Sequence, residues 1–381
     1  MKTQRNPSTP SSLPILGGLS PEAFLRVYWQ KQPLLIRAAV PGIADRLKPA
    51  ALRRLACREE VESRLVRNVR GRWRLEHGPF EPAVLRNLPD RGWSLLVSGV
   101  NHWLPYADGL LAEFAFVPYA RLDDVMVSLA PPGGGVGPHF DSYDVFLIQG
   151  RGTRRWEISA QDDLELVPDA PLRILKRFRP SQSWVLEPGD MLYLPPRLAH
   201  NGVALSECMT WSVGFRAPTH QEIAGAFLAY LQDRLDLEGR YADPDLTVPI
   251  HPAELPETMV ERLGSVIDGI RWDRTDIRDF LASYLSEPKP NVFFDPPRRP
   301  VSAETFARRA SQSGVRLDAR TRLLFSAGDF FINGERIEVP GPLRPALTTL
   351  ADRRSLPPER IPAELQPLLY DWYRAGYLTP G

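Results

Sequence analysis

His139-Phe140-Asp141, with His200 far downstream, limits what this chain can fold into more than any other feature of its sequence. Residues two apart share a face where the backbone is extended, so His139 and Asp141 can grip one ion from a strand. A third ligand must then come from another strand, and His200 stands where a second pair of strand-like segments ends. Two imidazoles and one carboxylate form the facial triad that holds non-haem Fe(II) and leaves coordination positions open for chemistry. The chain has only six histidines, so few other combinations compete.

The flanks of the triplet read as a small β-barrel. Gly133-Gly134-Gly135 and Gly137-Pro138 permit tight turns just before the ligands. Residues 144–149 (DVFLIQ) have a buried-strand pattern, Gly150-Arg151-Gly152 a turn, and residues 153–158 (TRRWEI) a return strand, together a hairpin. Residues 184–196 read as strand, Pro188-Gly189 turn, and strand, after which His200 sits in a short loop and residues 209–215 supply another strand. This order is the layout of a cupin, a double-stranded β-helix or jelly roll. A single histidine beside a strand is ordinarily a core or surface residue. Three ligands that agree with strand phase and turn chemistry are not explained that way. The same ligand set also accommodates Mn(II), Co(II) or Zn(II), and affinity alone favours zinc over iron.

An arginine on the return strand tips the choice to iron. An oxygenase that uses 2-oxoglutarate must anchor that molecule's distal carboxylate inside the barrel, and arginine offers a permanent charge and a two-pronged fork. Arg154 and Arg155 are neighbours on opposite faces. Trp156 and Ile158 share the face of Arg154, which predicts Arg154 inward and Arg155 outward. A buried guanidinium needs a partner, which is either a dicarboxylate ligand or an internal Asp or Glu. Thr210 and Ser212 share one face of the last strand, and their hydroxyls are expected to donate to the same ligand.

These residues carry a family resemblance. Residues 132–150, with the triple glycine, H-x-D and Tyr143-Asp144-Val145-Phe146, resemble the bacterial JmjC-type ribosomal oxygenases. So do residues 187–196, His200 and residues 211–218, and residues 28–37 resemble that family's opening segment. The resemblance is dense over residues 15–218 and continues by layout beyond. It implies Fe(II) on His139, Asp141 and His200, with Arg154 on the distal carboxylate and O2 as oxidant. It also implies a large-subunit ribosomal protein as substrate, hydroxylated at an arginine β-carbon. Phe140 departs from the smaller aliphatic residue expected between the ligands, at a position that points away from the metal.

The rest of the chain fits an α+β protein of several parts. Residues 1–14 read as a disordered lead and 15–217 as the JmjC/cupin catalytic domain. Thr219 and Glu222 form a capping box that opens a helix with Ile223, Phe227, Leu228 and Leu231 on one face. Further helical patterns follow in residues 256–267 and 276–285, and the family layout makes 218–287 a helical homodimerisation region. The proline-rich 288–300 reads as a linker, and 301–381 as a winged-helix-like C-terminal domain. Winged helix does not imply DNA binding, and no basic recognition helix stands out.

Lys+Arg 47 against Asp+Glu 46 gives a net charge of +1, so no global field attracts nucleic acid. Arginine clusters locally, in residues 64–74, 173–179 and 298–299, as solvated faces or as help in docking on a ribosomal particle. Two cysteines make no disulfide framework, and with no signal-peptide core or membrane-length apolar run the expectation is a cytoplasmic protein. Tyr143 and Asp144 are candidates for a clamp on a substrate arginine. Two other readings stand beside the hydroxylase: a 2-oxoglutarate oxygenase acting on another protein or on tRNA, and a non-catalytic metal-binding cupin that serves as an assembly factor. An inward Arg154 speaks against the last.

Overall fold

Period-two alternation of apolar residues gives this chain a wide antiparallel sheet that is buried on both faces at its centre. The computed structural model describes residues 12–69 and 71–381. The strands are β1 (Leu34–Ile36), β2 (Ser63–Val69), β3 (Arg72–His77), β4 (Trp93–Val97), β5 (Leu122–Ala130) and β6 (Val145–Arg151). They continue as β7 (Arg154–Ser159), β8 (Gln182–Leu186), β9 (Met191–Leu194), β10 (Ala199–Ala204) and β11 (Cys208–Phe215). Eight of them form one sheet in the order β1-β9-β6-β11-β5-β4-β2-β3, and β10-β7-β8 form a second.

Alternate residues of the central strands go to two separate cores. Phe146, Ile148, Met191, Tyr193, Trp211 and Val213 pack outward with Phe24 and with Phe114, which follows a later helix. Val145, Leu147, Leu192 and Leu194 pack inward against Trp156, Ile158 and Leu186 of the small sheet. The outward core is built around α1 (Pro21–Val27), which starts with Pro21 at its first position and is capped by Ser20 Oγ accepting from the Ala23 N–H. Its Phe24 is fully buried, with ring centroids 5.0 Å from Tyr193 and 5.5 Å from Phe146. Burying such a side chain contributes about 1.5–3 kcal/mol. α2 (Pro49–Leu55), α3 (Pro82–Arg86) and α4 (Pro105–Ala112) complete the helices before β5.

Three local expectations change. Residues 144–158 are not a hairpin, because β6 pairs with β9 and β11 in the large sheet while β7 pairs with β8 and β10 in the small one. β6 also runs on through Gly150 and Arg151, and the chain crosses between sheets at Gly152, where φ is +58°. His200 is not in a loop but is the second residue of β10. The H-x-D triplet is extended but joins no long ladder. His139 makes a single bridge to His200, since Pro138 has no N–H to give and Gly137 turns the chain at φ +81°. At the N-terminus, residues 1–11 of the expected disordered lead lie outside the described residues. From Leu13, whose N–H bonds the Leu19 carbonyl, the chain is ordered, and Ile15 and Leu16 are buried.

Beyond β11 run α5 (His220–Gln232), α6 (Glu257–Asp268), α7 (Arg274–Ser286) and α8 (Ala303–Ser313), then β12 (Val315–Leu317) and the meander β13 (Leu323–Ser326), β14 (Asp329–Ile332) and β15 (Glu335–Ile337). α9 (Arg344–Arg353), β16 (Ser355–Leu356), α10 (Gln366–Ala375) and β17 (Leu378–Pro380) close the chain. The structure divides into two units. One holds the chain up to Ala217 with Lys289–Thr321 and Arg354–Gly381, and the other holds Pro218–Pro288 with Arg322–Arg353.

In the first unit, Lys289 Nζ lies 2.8 Å from Asp123 Oδ2 on β5, and Arg320 binds Asp318, Asp295 and the Phe293 carbonyl. The proline-rich stretch is therefore held at its start and near its middle. In the second unit, the capping box of Thr219 and Glu222 opens α5 as expected. Phe227 and Tyr230 of α5 pack on Phe280 of α7. α6 buries no residue at all, and Val260, Leu263, Val266 and Ile267 stand 44–65% exposed. No helix among the described residues is long and apolar enough to cross a membrane.

Candidate metal centre

His139 and His200 are held together by their own backbones before any ion is considered. The His139 N–H donates to the His200 carbonyl at 2.9 Å, and the His200 N–H returns the bond at 2.8 Å. Their rings stand 4.2 Å apart. Each Nδ1 sits 2.9 Å from a carbonyl oxygen, Gly137 for His139 and Leu198 for His200. A carbonyl can only accept, so each Nδ1 carries the proton and each Nε2 is left with a lone pair for a metal. The Asp141 backbone is pinned by the Arg197 N–H at 2.7 Å, and Asp141 Oδ2 lies 3.7 Å from His200 Nε2. One ligand atom from each of the three residues falls within 4.8 Å of the others. Burial, reinforced by the neighbouring His139, pushes the His200 imidazole down to about 4. It is therefore neutral at physiological pH, as a ligand must be. Two nitrogens and one carboxylate oxygen gathered this closely fit Fe(II) and would leave its remaining coordination positions free.

The barrel interior next to these ligands is lined by β7 and β11. Arg154 is buried at 4% exposure and Arg155 is exposed, the alternation that the apolar pattern predicts. Arg154 Nη1 donates to the Gly202 carbonyl at 3.3 Å. Its Nε and Nη2 are buried with no hydrogen-bond partner among the described residues. No Asp or Glu meets it, so the internal salt bridge weighed as its alternative partner is absent among those residues. A carboxylate brought to this wall would satisfy both donors. Ser212 is buried on β11 and registers with Leu147 on β6, a member of the inward core, so its hydroxyl belongs to the same interior. Thr210 does not serve as expected, because its Oγ1 already donates to Gln149 Oε1 at 3.1 Å.

The two clamp candidates separate. Asp144 is fully buried and accepts from the Tyr193 hydroxyl at 2.6 Å and from Gln30 Nε2 at 2.9 Å, with Arg121 at 3.6 Å. It ties the loop after Asp141 to the outward core and faces no ligand. Tyr143 is 41% exposed, and the Asp141 carboxylate together with burial pushes its phenol up. Asp123 and Asp124 act on the same phenol, with Arg64 opposing them. Phe140 meets the Arg173 guanidinium 4.8 Å from its ring centre, away from the ligands.

Two residues near the site were not anticipated. Asp124 shares the inward phase of β5 with Met126 and Ser128, and a carboxylate in such a strand was a readable signal. Burial pushes its carboxyl up against the pull of Lys289. Trp156 was used only to set strand phase, although its indole N–H is a donor on the same face as Arg154.

Residues 109–223 match the JmjC domain family and residues 269–379 the ROXA-like winged helix. The chain is 36% identical to the ribosomal protein uL16 3-hydroxylase of Escherichia coli (strain K12), over 89% of this chain and 90% of that protein. It is 39% identical to a probable ribosomal oxygenase of Haemophilus influenzae, over 60% of this chain and 56% of that protein. Among solved structures it is similar to YcfD, a ribosomal oxygenase from Escherichia coli, with TM-score 0.80 and 34% identity over 95% of this chain and 98% of that one. A structure of YcfD in complex with cobalt and 2-oxoglutarate matches equally well, with TM-score 0.80 over 93% of this chain and 96% of that one.

Proposed function

We propose a function from the premise that this chain belongs to the JmjC-domain ribosomal oxygenases. It is an Fe(II)- and 2-oxoglutarate-dependent dioxygenase that uses O2 to hydroxylate a side chain of a large-subunit ribosomal protein, at an arginine β-carbon. The observation that carries this reading is Arg154, a buried guanidinium with two free donors in a barrel whose rim gathers three ligand atoms.

In this reading His139, Asp141 and His200 hold the metal, Arg154 holds the distal carboxylate, and the Ser212 hydroxyl donates to the same ligand. When bound, Fe(II) with 2-oxoglutarate and O2 supplies an oxidative decarboxylation that yields succinate and carbon dioxide and delivers one oxygen atom to a C–H bond. The chain's own part is placement. The backbone bridge between the two histidines fixes both Nε2 atoms, and Leu147, Trp156, Ile158 and Leu192 keep the interior dry. At the rim, Tyr143 offers a partly exposed aromatic face, which suits a guanidinium-bearing substrate. Among the described residues, no aromatic ring packs against Tyr143 to form a cage of the kind that reads methylated ammonium groups.

Residues 15–217 are the catalytic part, 288–300 the linker and 301–381 the winged helix of this reading. Residues 218–287 are its dimerisation region. The exposed apolar face of α6 is covered by a second copy of the chain, and light scattering checks this, a monomer at micromolar concentration refuting it. A ribosomal substrate assigns the enzyme to the cytoplasm. The deciding experiment incubates the purified protein with ribosomal proteins, Fe(II) and 2-oxoglutarate, and follows intact masses. Gain of one oxygen on a single large-subunit protein, located by fragmentation to an arginine, is the expected result. An unchanged profile, with 2-oxoglutarate turnover verified on tRNA or another protein, overturns the substrate.

A further inference from the structure

Among the described residues, few buried side-chain polar atoms lack a partner, and three of them lie on one face of β7: Arg154 Nε, Arg154 Nη2 and Trp156 Nε1. Trp156 is 5% exposed and sits two residues from Arg154, so both side chains enter the same interior. The Arg154 guanidinium carbon lies 5.7 Å from the centre of the Trp156 ring, and the ring of the metal-side His200 lies 5.9 Å away on another side. The indole thus spans the interval between the anchor and the ligands. Its orientation is fixed by packing. Trp156 registers opposite Gly202, and an added Cβ on Gly202 would come within 2.6 Å of the six-membered edge of the indole. That edge is pressed to the β10 backbone, which leaves the five-membered ring, with its N–H, on the opposite side.

A buried indole N–H is ordinarily hydrogen-bonded. Arg154 and Trp156 together present three unpaired donors, and a carboxylate has lone pairs for about four. From this we infer that Trp156 is a further cosubstrate-binding residue beside Arg154 and Ser212, its indole N–H donating to the distal carboxylate that Arg154 holds. The inference rests on the oxygenase reading. It adds a third β7 donor to the Arg154 fork and makes the anchor a cradle selective for a dicarboxylate of one length.

The test uses the full chain loaded with Co(II), with calorimetric titration of 2-oxoglutarate as the readout. Trp156→Phe keeps an aromatic ring on Gly202 and removes the donor. Its dissociation constant should rise about tenfold, the range for a hydrogen bond to a charged group, with Co(II) affinity unchanged. Replacing Trp156 by benzothienylalanine, which keeps the bicyclic shape and puts sulfur in place of the N–H, should give the same loss. It decides the matter if the phenylalanine variant fails to fold. For 2-oxobutyrate, which lacks the distal carboxylate, both replacements should be silent. Wild-type affinity for 2-oxoglutarate in the sulfur analogue overturns the inference, and so does an equal loss for 2-oxobutyrate. Arg154→Ala separates the two levels of argument. If it too binds 2-oxoglutarate normally, the cosubstrate reading itself has failed; if it alone loses binding, only the role of Trp156 has.

Discussion

The two faces of the large sheet obey different rules. On the outward face, Phe24, Phe146, Tyr193 and Phe215 interlock, and a buried carboxylate there, Asp144, is met by Tyr193, Gln30 and Arg121. On the inward side, which the small sheet covers, a guanidinium and an indole of β7 are buried with donors unpaired, and three metal-type ligands converge at the rim. Both sides are dry, but the unpaired donors of β7 face only the inward one. A protein tolerates unsatisfied buried donors where a ligand completes them, so the inward face is built for occupancy and the outward one for stability.

The comparison breaks most easily at the rim. His139→Ala should abolish turnover and greatly weaken metal binding, while melting of the metal-free protein changes little. Succinate release, metal titration and a thermal melt check this, and retained turnover would move the site elsewhere. Next comes the outward face, where Phe24→Ala should cost about 3–5 kcal/mol of stability by leaving a cavity among packed rings. Binding of 2-oxoglutarate by the folded fraction should not change, as denaturant titration and calorimetry together would reveal.

Arg154→Ala sharpens the contrast. It should weaken 2-oxoglutarate binding by about 1.5–3 kcal/mol, yet leave the ligand-free protein no less stable, because it removes a buried charge with no counter-ion. Arg155→Ala should be silent in both measurements. Equal effects from the two would mean that the strand faces are not distinct. Smallest is Ser212→Ala, expected to weaken 2-oxoglutarate binding by about 0.5–1.5 kcal/mol without moving metal affinity. No change in that titration removes Ser212 from the binding wall.

Much of the site was legible because it depends on short-range periodicity. Arg154 against Arg155 follows from strand alternation, and the capping box of Thr219 and Glu222 from four consecutive residues. What was lost depends on distant partners. Residues 144–158 looked like a hairpin because strand, glycine turn and strand are local signals. The partner that claims β6, β11, lies about sixty residues on, and nothing in the segment announces it. His200 looked like a loop residue because Asn201-Gly202 is a turn signal, overridden here by pairing to β7. Asp144 read as a clamp candidate because its burial is created by Gln30, Arg121 and Tyr193, contributed from three other stretches of chain.

Gly202 is the quiet partner in this arrangement. A Cβ there would strike Trp156, and a Cβ on Gly135 would come within 2.5 Å of the Gly202 carbonyl oxygen. Gly202 thus meets close neighbours on two sides, the indole through its own missing Cβ and Gly135 through its backbone. The first of these links two positions: 202 has room only for glycine while 156 is tryptophan. A lineage that trades the indole for a smaller ring frees 202 to vary, and in doing so gives up the donor beside Arg154.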